Sequence, residues 1–245
     1  MVKSEQIVGI VRFLEKFRKA IIAMVIIVII AASLVYSQAE YVINILTIPL
    51  NGARLYFMTP VEGMIAKMRV AFFGGIVISS PILAYIIIYI ASSNLSKKIR
   101  RILCFVIVPL ASLLFIAGIL FGYKFLFSST IGFLLDSGDD FMKANLSGNH
   151  YFSFVGTLML TVGILFELPL VLIALSRIKI INSKVLIAKR KFAIMFSLIT
   201  VALVSPTVDA FTFILISLPI IALYEISIWC IYLLERADRK KEALR

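Results

Sequence analysis

The sequence predicts an all-α integral membrane protein with six transmembrane helices. Of its 245 residues, 62% are hydrophobic, and the mean hydropathy is +1.07, which is more apolar surface than a soluble domain can bury. Six apolar runs separated by polar residues approach the roughly 20 residues that a helix needs to cross a bilayer. They lie at residues 20–36, 69–91, 102–127, 151–176, 192–207 and 210–234, and we expect residues 1–245 to form a single membrane domain.

The distribution of basic residues predicts the orientation of these helices. Twenty of the 25 Lys and Arg residues fall in four segments, which precede the first run, join runs two and three, join runs four and five, and follow run six. Because cytoplasmic flanks collect Lys and Arg, we expect both termini in the cytoplasm. The same distribution accounts for the net charge of +12 without a nucleic-acid partner, since no interleaved basic and aromatic motif accompanies it.

The residue types that carry enzyme chemistry are sparse. The chain has one His and two Cys, with no acidic cluster at metal-ligand spacing, and it has neither a phosphate-binding loop nor a dinucleotide fingerprint. We therefore expect no metal, no cofactor and no enzymatic activity, and we expect the lipid bilayer as a partner.

Three of the runs contain an internal proline, and one run is short. Pro81, Pro169 and Pro219 lie in runs two, four and six, where each removes a backbone donor and crowds the carbonyl four residues earlier. Each is expected to bend its helix, either as plain shape or to form a concave surface. Run five is bounded by Lys191 and Pro206 and spans only about 24 Å.

Two carboxylates interrupt otherwise apolar runs. Glu167 lies ten residues before Arg177, and Glu225 lies ten residues before Glu235, so both lie about 15 Å from the expected cytoplasmic boundary. No Lys or Arg lies at that depth in any run, so neither carboxylate is expected to form an ion pair. A charged, unpaired carboxylate in hydrocarbon costs several kcal/mol. The two acids therefore line a hydrated groove, or they are neutral in a dry bundle.

Six short segments carry a pattern that extends nearly from end to end of the chain. They are TPVEGMIAKMRVAFFGG (59–75), SSPILAY (79–85), LFIAGILFGYKF (114–125), GILFELPL (163–170), SPTVDAF (205–211) and LPIIALYEISI (218–228). In this order and spacing they resemble the TatC family, whose members are the multi-spanning receptor subunits of the twin-arginine protein translocase.

The resemblance implies a glove-shaped protein, with both termini in the cytoplasm, that binds the twin-arginine signal peptides of folded cargo proteins. It implies assembly with single-span TatA- and TatB-type subunits into an oligomeric complex. Transport in the family draws on the proton gradient and not on nucleotide hydrolysis. We expect the plasma (inner) membrane of a prokaryote rather than an organellar membrane, because no transit-like extension precedes the first run.

The resemblance also supplies candidate site residues. Glu167, on the concave face, and Glu15 and Arg18, in the amphipathic lead, are the candidate signal-peptide contacts. The candidate structural or partner-contact residues lie at further matched positions: Pro49, Glu62, Lys67, Pro81, Pro169, Ser205, Pro206, Asp209 and Glu225.

The chain departs from the family at the expected cytoplasmic face. In the amphipathic lead, the family has a carboxylate at the position of Lys16. The nearest acid of this chain, Glu15, precedes that position by one residue and therefore points about 100° away from it around the helix. A second family carboxylate, in the first cytoplasmic loop, is replaced by Ile99, and the loop's aromatic and proline by Ile90 and Ser93. These positions matter because a planar guanidinium pairs with two carboxylate oxygens.

Two alternative functions stay open. The missing cytoplasmic carboxylates are consistent with a divergent TatC-like scaffold paralogue that assembles with partner subunits without binding signal peptides. Glu167 and Glu225 at one depth are consistent with a small proton-coupled secondary transporter. Such transporters are usually built from inverted repeats, and the two halves of this chain show no convincing correspondence.

Overall fold

The computed structural model describes residues 2–50, 55–57, 59–92, 100–101, 103–136, 146–177, 180–204 and 210–243. Within these ranges the α-helices are α1 (Val2–Ser37), α2 (Ala39–Thr47), α3 (Glu62–Ala91), α4 (Val108–Phe121), α5 (Ser128–Asp136), α6 (Gly148–Phe166), α7 (Leu168–Arg177), α8 (Ser183–Ala188), α9 (Arg190–Val204) and α10 (Ala210–Ala243). Leu103–Ile107 and Gly122–Phe127 are π-helical, and Ile48–Leu50 is a 3-10 helix. Two short strands, β1 (Leu55–Tyr56) and β2 (Leu146–Ser147), pair in parallel.

Five stretches of the described chain are helical, long and apolar enough to cross a membrane. They are Glu15–Ser37, Glu62–Ile90, Cys104–Leu134, Gly148–Arg177 and Phe213–Ala237, and they overlap five of the six predicted runs. The remaining run, run five at residues 192–207, corresponds to α9, whose 15 residues rise about 22 Å, as its short length predicts. Only 17–33% of the most apolar part of each stretch is buried. Apolar helices with such exposure are typical of lipid contact, and the all-α membrane fold is confirmed.

The backbone divides into two compact units. Unit 1 comprises Met1–Thr47 and Phe57–Leu113, and unit 2 comprises Ile48–Tyr56 and Leu114–Arg245. Helices α1, α2 and α3 belong to unit 1, whereas α5 to α10 and the strand pair belong to unit 2. The single membrane domain expected over residues 1–245 stays a prediction.

In unit 1, α1 packs against α3 at a glycine. A Cβ atom on Gly75 would lie 2.7 Å from the backbone nitrogen of Ala32. Real Cβ atoms do not approach backbone this closely, so the distance between the two helices requires glycine at this position. Small residues allow such close backbone packing between membrane helices.

Pro81 lies inside α3, and a serine compensates for its missing donor. Without an N–H on Pro81, the carbonyl of Val77 loses its usual helical partner. The Oγ of Ser80 donates to that carbonyl at 2.8 Å, and the Oγ of Ser79 donates to the carbonyl of Ile76 at 3.2 Å. Serine hydroxyls often satisfy the backbone beside a proline in membrane helices, which explains why this segment reads SSP.

In unit 2, close packing and aromatic contacts hold α6, the helix that leads to Glu167. A Cβ atom on Gly118 of α4 would lie 2.9 Å from the Cα of Gly163, so the two helices meet backbone to backbone. Near the start of α6, the ring of Tyr151 lies edge-on to the buried ring of Phe127, with 5.8 Å between centroids. These contacts hold α6 in place within unit 2.

Candidate functional site

Glu167 lies at a break between α6 and α7. The break follows from Pro169, which has no N–H to donate and crowds the carbonyl of Leu165. The N–H of Glu167 donates to the carbonyl of Ile164 at 3.1 Å, and the N–H of Val171 donates to the carbonyl of Glu167 at 3.0 Å. Pro169 is buried, whereas Glu167 is half-buried. The proline in run four therefore interrupts the helix at the carboxylate itself.

The carboxylate of Glu167 has no ion-pair or hydrogen-bond partner within the described residues. Ile164, one turn earlier in α6, is 63% exposed and lies on the same helical face. A charged carboxylate in such surroundings is unfavourable unless it gains a hydrogen-bond donor. The arrangement can accept a hydrogen bond or a positive charge from a molecule outside the fold.

Glu225, on α10, has an internal partner. Nη2 of Arg190 lies 2.9 Å from its Oε2, and the two side chains are 44% and 37% exposed. The prediction that neither mid-span carboxylate forms an ion pair is therefore wrong for Glu225. The sequence pattern predicted that Arg190 lies in the loop between runs four and five. Arg190 is instead the first residue of α9, and its long side chain carries the guanidinium away from its own backbone.

A small cavity in unit 2 adjoins this ion pair. Its volume is about 120 Å³, and its lining comes from α7, α9 and α10, with Leu165 at the end of α6. The lining is apolar except for Arg190, Ser197, Tyr224 and Glu225. Glu225 lines this cavity and Glu167 does not, so two acids expected at one depth have different surroundings.

The lead helix carries the other signal-peptide candidates. Glu15, Lys16 and Arg18 are all exposed on α1, which is continuous over Val2–Ser37. On a continuous helix Glu15 and Lys16 point about 100° apart, and Glu15 and Arg18 are neighbours on one face. Signal-peptide binding by Glu15 and Arg18 stays a prediction.

Lys67, a candidate partner contact, joins α3 to α2. Its Nζ lies 2.6 Å from Oε1 of Glu40. The hydrogen bond and positive charge of Lys67 hold the pKa of Glu40 below its usual value. Sequence reasoning missed Glu40, because 27 residues separate the two side chains and no motif joins them. Glu62 lies in the first turn of α3, where the helix dipole favours a carboxylate.

Of the remaining structural candidates, Pro49 lies within the described residues. Pro49 is the middle residue of the 3-10 helix Ile48–Leu50. Ser205, Pro206 and Asp209 lie outside the described residues, as do Ser93 and Ile99 of the first cytoplasmic loop. Partner contacts at all of these candidates stay predictions.

Potential metal ligands are dispersed through the described part of the chain. Across the ranges that the structure describes, no three His, Cys, Asp or Glu side chains gather as a metal ion would require. Cys104 and Cys230 are free thiols. The chemistry that the described part of the site offers is hydrogen bonding and ion pairing by carboxylates.

Sequence comparison identifies relatives over most of the chain. The profile of the family described as Sec-independent protein translocase protein (TatC) matches residues 12–219. A TatC protein of Carboxydothermus hydrogenoformans is 32% identical over 218 residues, which cover 88% of this chain and 89% of that protein. An uncharacterized tatC-like protein, ycf43, of Gracilaria tenuistipitata is 28% identical over 226 residues, which cover 91% and 93%.

Structural comparison agrees with the sequence comparison. A crystal structure of the twin-arginine translocase receptor TatC in DDM matches with a TM-score of 0.79 and 28% identity, covering 89% of this chain and 99% of that one. A second crystal structure of this receptor matches with the same score and identity, covering 90% and 98%. The predicted resemblance is confirmed, and the chain belongs to the TatC family of multi-pass, Sec-independent protein translocase components.

Proposed function

We propose that this protein is the receptor component of a twin-arginine translocation system in the plasma membrane of a prokaryote. It binds twin-arginine signal peptides and assembles with single-span TatA- and TatB-type subunits. The assembly passes folded proteins across the membrane at the expense of the proton gradient. The observation that carries this proposal is the TatC match over residues 12–219, which includes the segment with Glu167.

Glu167 is the membrane-depth contact in this proposal. Its half-buried carboxylate has no partner among the described residues, and exposed Ile164 beside it offers an apolar surface to an incoming helix. A hydroxyl, amide or protonated group on that helix donates to the carboxylate. A hydrogen bond to a charged group contributes about 1.5–3 kcal/mol, which is roughly a tenfold to hundredfold change in affinity.

Glu15 is the cytoplasmic contact in this proposal. Two arginines of a signal peptide need carboxylate oxygens, which match the planar guanidinium. Lys16 occupies the position of the family carboxylate, and exposed Glu15 is the adjacent acid on α1. The proposal therefore assigns arginine binding to Glu15. This residue lies about 100° around the helix from position 16, where the family has its carboxylate.

A TatC-like scaffold that does not bind signal peptides is the second candidate. The observation that favours it is Lys16, which is exposed beside Glu15 and repels an incoming arginine. On this alternative the chain still assembles with its partner subunits. A photocrosslinking probe at position 19, which is exposed on the same helical face as Glu15, separates the two functions, because a receptor forms contacts that need Arg-Arg and are lost in Glu15→Gln.

Complementation tests the proposal directly. The chain is expressed with its matching TatA- and TatB-type subunits in a host that lacks its own TatC, and export of a folded reporter is measured. We expect export of a reporter with an Arg-Arg signal peptide and none of the matched Lys-Lys reporter. If neither is exported while the chain is in the membrane and co-purifies with the partner subunits, the receptor function is contradicted and the scaffold is favoured.

A further inference from the structure

Residues 180–192 comprise α8 and the residues that flank it, and we call this segment the strap. Its inner face is hydrogen-bonded to α10. The N–H and Oγ of Ser183 donate to the two carboxylate oxygens of Glu235 at 2.9 and 2.5 Å. Near the other end of α8, the hydroxyl of Tyr224 donates to the carbonyl of Leu186 at 2.9 Å. Leu186 itself is buried against apolar side chains of α10. The strap is therefore held to α10 at both ends of its helix.

The outward face of the strap combines apolar and basic side chains. Its large apolar side chains are 45–66% exposed and are Ile180, Val185, Ile187 and Phe192. Its exposed lysines are Lys184, Lys189 and Lys191. No ion pair joins these lysines to another described residue. Apolar side chains interleaved with lysines are typical of segments that lie in a membrane interface.

The two carboxylates that contact the strap within the described residues are already engaged. Glu235 accepts both hydrogen bonds from Ser183, and Glu225 pairs with Arg190. The lysines of the strap therefore have no neutralising carboxylate among the described residues. Nζ of Lys189 lies 4.9 Å from the ring centre of Phe192, which places this ammonium group at the edge of the apolar surface.

We propose that the strap is a binding surface for anionic phospholipid headgroups of the surrounding membrane. Lys184, Lys189 and Lys191 contact the phosphates, and the exposed apolar side chains lie at the boundary with the acyl chains. The contacts with α10 fix the backbone that carries the lysines, which reduces the entropy lost on binding. The inference goes beyond the receptor function and does not depend on it.

A single-tryptophan reporter tests the proposal. The chain has one tryptophan, so Val185→Trp in a Trp229→Phe background reports on the strap alone. The protein is reconstituted in phosphatidylcholine bilayers with equal fractions of brominated phosphatidylglycerol or brominated phosphatidylcholine, and quenching is compared. We expect brominated phosphatidylglycerol to associate at least about fivefold more tightly, with a preference that falls as salt is raised to about 0.5 M.

Charge-matched variants provide the control. Replacing all three strap lysines by Gln is expected to remove the lipid preference, whereas replacing all three by Arg is expected to keep it. Equal quenching by the two lipids, quenching by neither, or a preference that survives in the Gln variant would overturn the proposal.

A second readout needs no reporter substitution. Phospholipids that remain on the detergent-purified protein are measured by mass spectrometry for the wild-type protein and the two triple variants. Anionic lipid is expected in excess on the wild-type and Arg forms alone. The same lipid composition on all three forms would mean that cargo or another partner, and not lipid, is the ligand of this surface.

Discussion

Two carboxylates of unit 2 lie in apolar runs of the sequence and have different surroundings. Glu225 lies 2.9 Å from the guanidinium of Arg190, whereas Glu167 has no partner among the described residues. A carboxylate that is paired inside the fold contributes to stability, and one that is unpaired is a source of instability until a ligand arrives. The difference therefore separates a structural acid from a candidate binding acid.

Local backbone structure explains part of the difference. Glu225 lies within continuous α10, opposite the start of α9, where a basic residue is available. Glu167 lies at the break imposed by Pro169, beside exposed apolar side chains. Function at Glu167 and stability at Glu225 are thus separable by mutation.

The largest effect is expected at Glu167. Glu167→Ala should lower the rate of twin-arginine export by at least about tenfold, because it removes a hydrogen bond to a charged acceptor. The free energy of unfolding should not fall, and it should rise if anything, since no described side chain pairs with this carboxylate and the substitution removes an unpaired acid. Export assays and unfolding in detergent are measured on the same variants. Unchanged export together with unchanged assembly would contradict a binding role for Glu167.

A smaller effect is expected at the internal ion pair. Arg190→Ala and Glu225→Ala should each lower the free energy of unfolding, and a double-mutant cycle should give a coupling energy of about 0.5–1 kcal/mol. The estimate is modest because the two side chains are 44% and 37% exposed. Lys191→Ala, next to Arg190, is the control and should leave stability nearly unchanged. Strict additivity of the two single substitutions would show that the pair contributes nothing.

The smallest effect is expected at Glu40, an exposed acid with a partner. Lys67 holds the pKa of Glu40 in the folded protein below its usual value of 4.5. The pair therefore stabilises the fold above the unfolded pKa, and the stabilisation is lost as pH falls through the folded pKa. The Tm of Glu40→Gln should lie slightly below that of the wild-type protein at neutral pH, and the gap should close well below pH 4.5. A gap that is independent of pH would exclude this ion pair as its cause.

Hydropathy and proline positions predict the features that depend on one segment alone. The apolar runs identify the described membrane-length helices, and Pro169 correctly marks an interruption of run four, because both follow from local physical requirements. The pairs Arg190 with Glu225 and Ser183 with Glu235 join residues 35 and 52 positions apart. Such pairs depend on how neighbouring helices are rotated and packed, which the hydropathy pattern does not encode.

The candidate site likewise has features that one segment of sequence predicts and features that depend on how the helices pack. The family pattern identified Glu167, but its lack of a described partner became evident only in the structure, as did the different surroundings of Glu225. Glu15 and Arg18 lie on an exposed helix without a described pocket to define a ligand. Their role depends on a signal peptide, so neither periodicity nor packing within one chain can establish it.

Photocrosslinking to a signal peptide tests the central claim most directly. One probe replaces Ile164, beside Glu167, and a control probe replaces Ile226, beside Glu225; the native side chains are 63% and 51% exposed. With matching partner subunits present, we predict a crosslink from position 164 that needs the Arg-Arg pair and is lost in Glu167→Ala, and no such crosslink from position 226. Crosslinks that do not depend on Glu167, or that are equal at the two positions, would contradict the account.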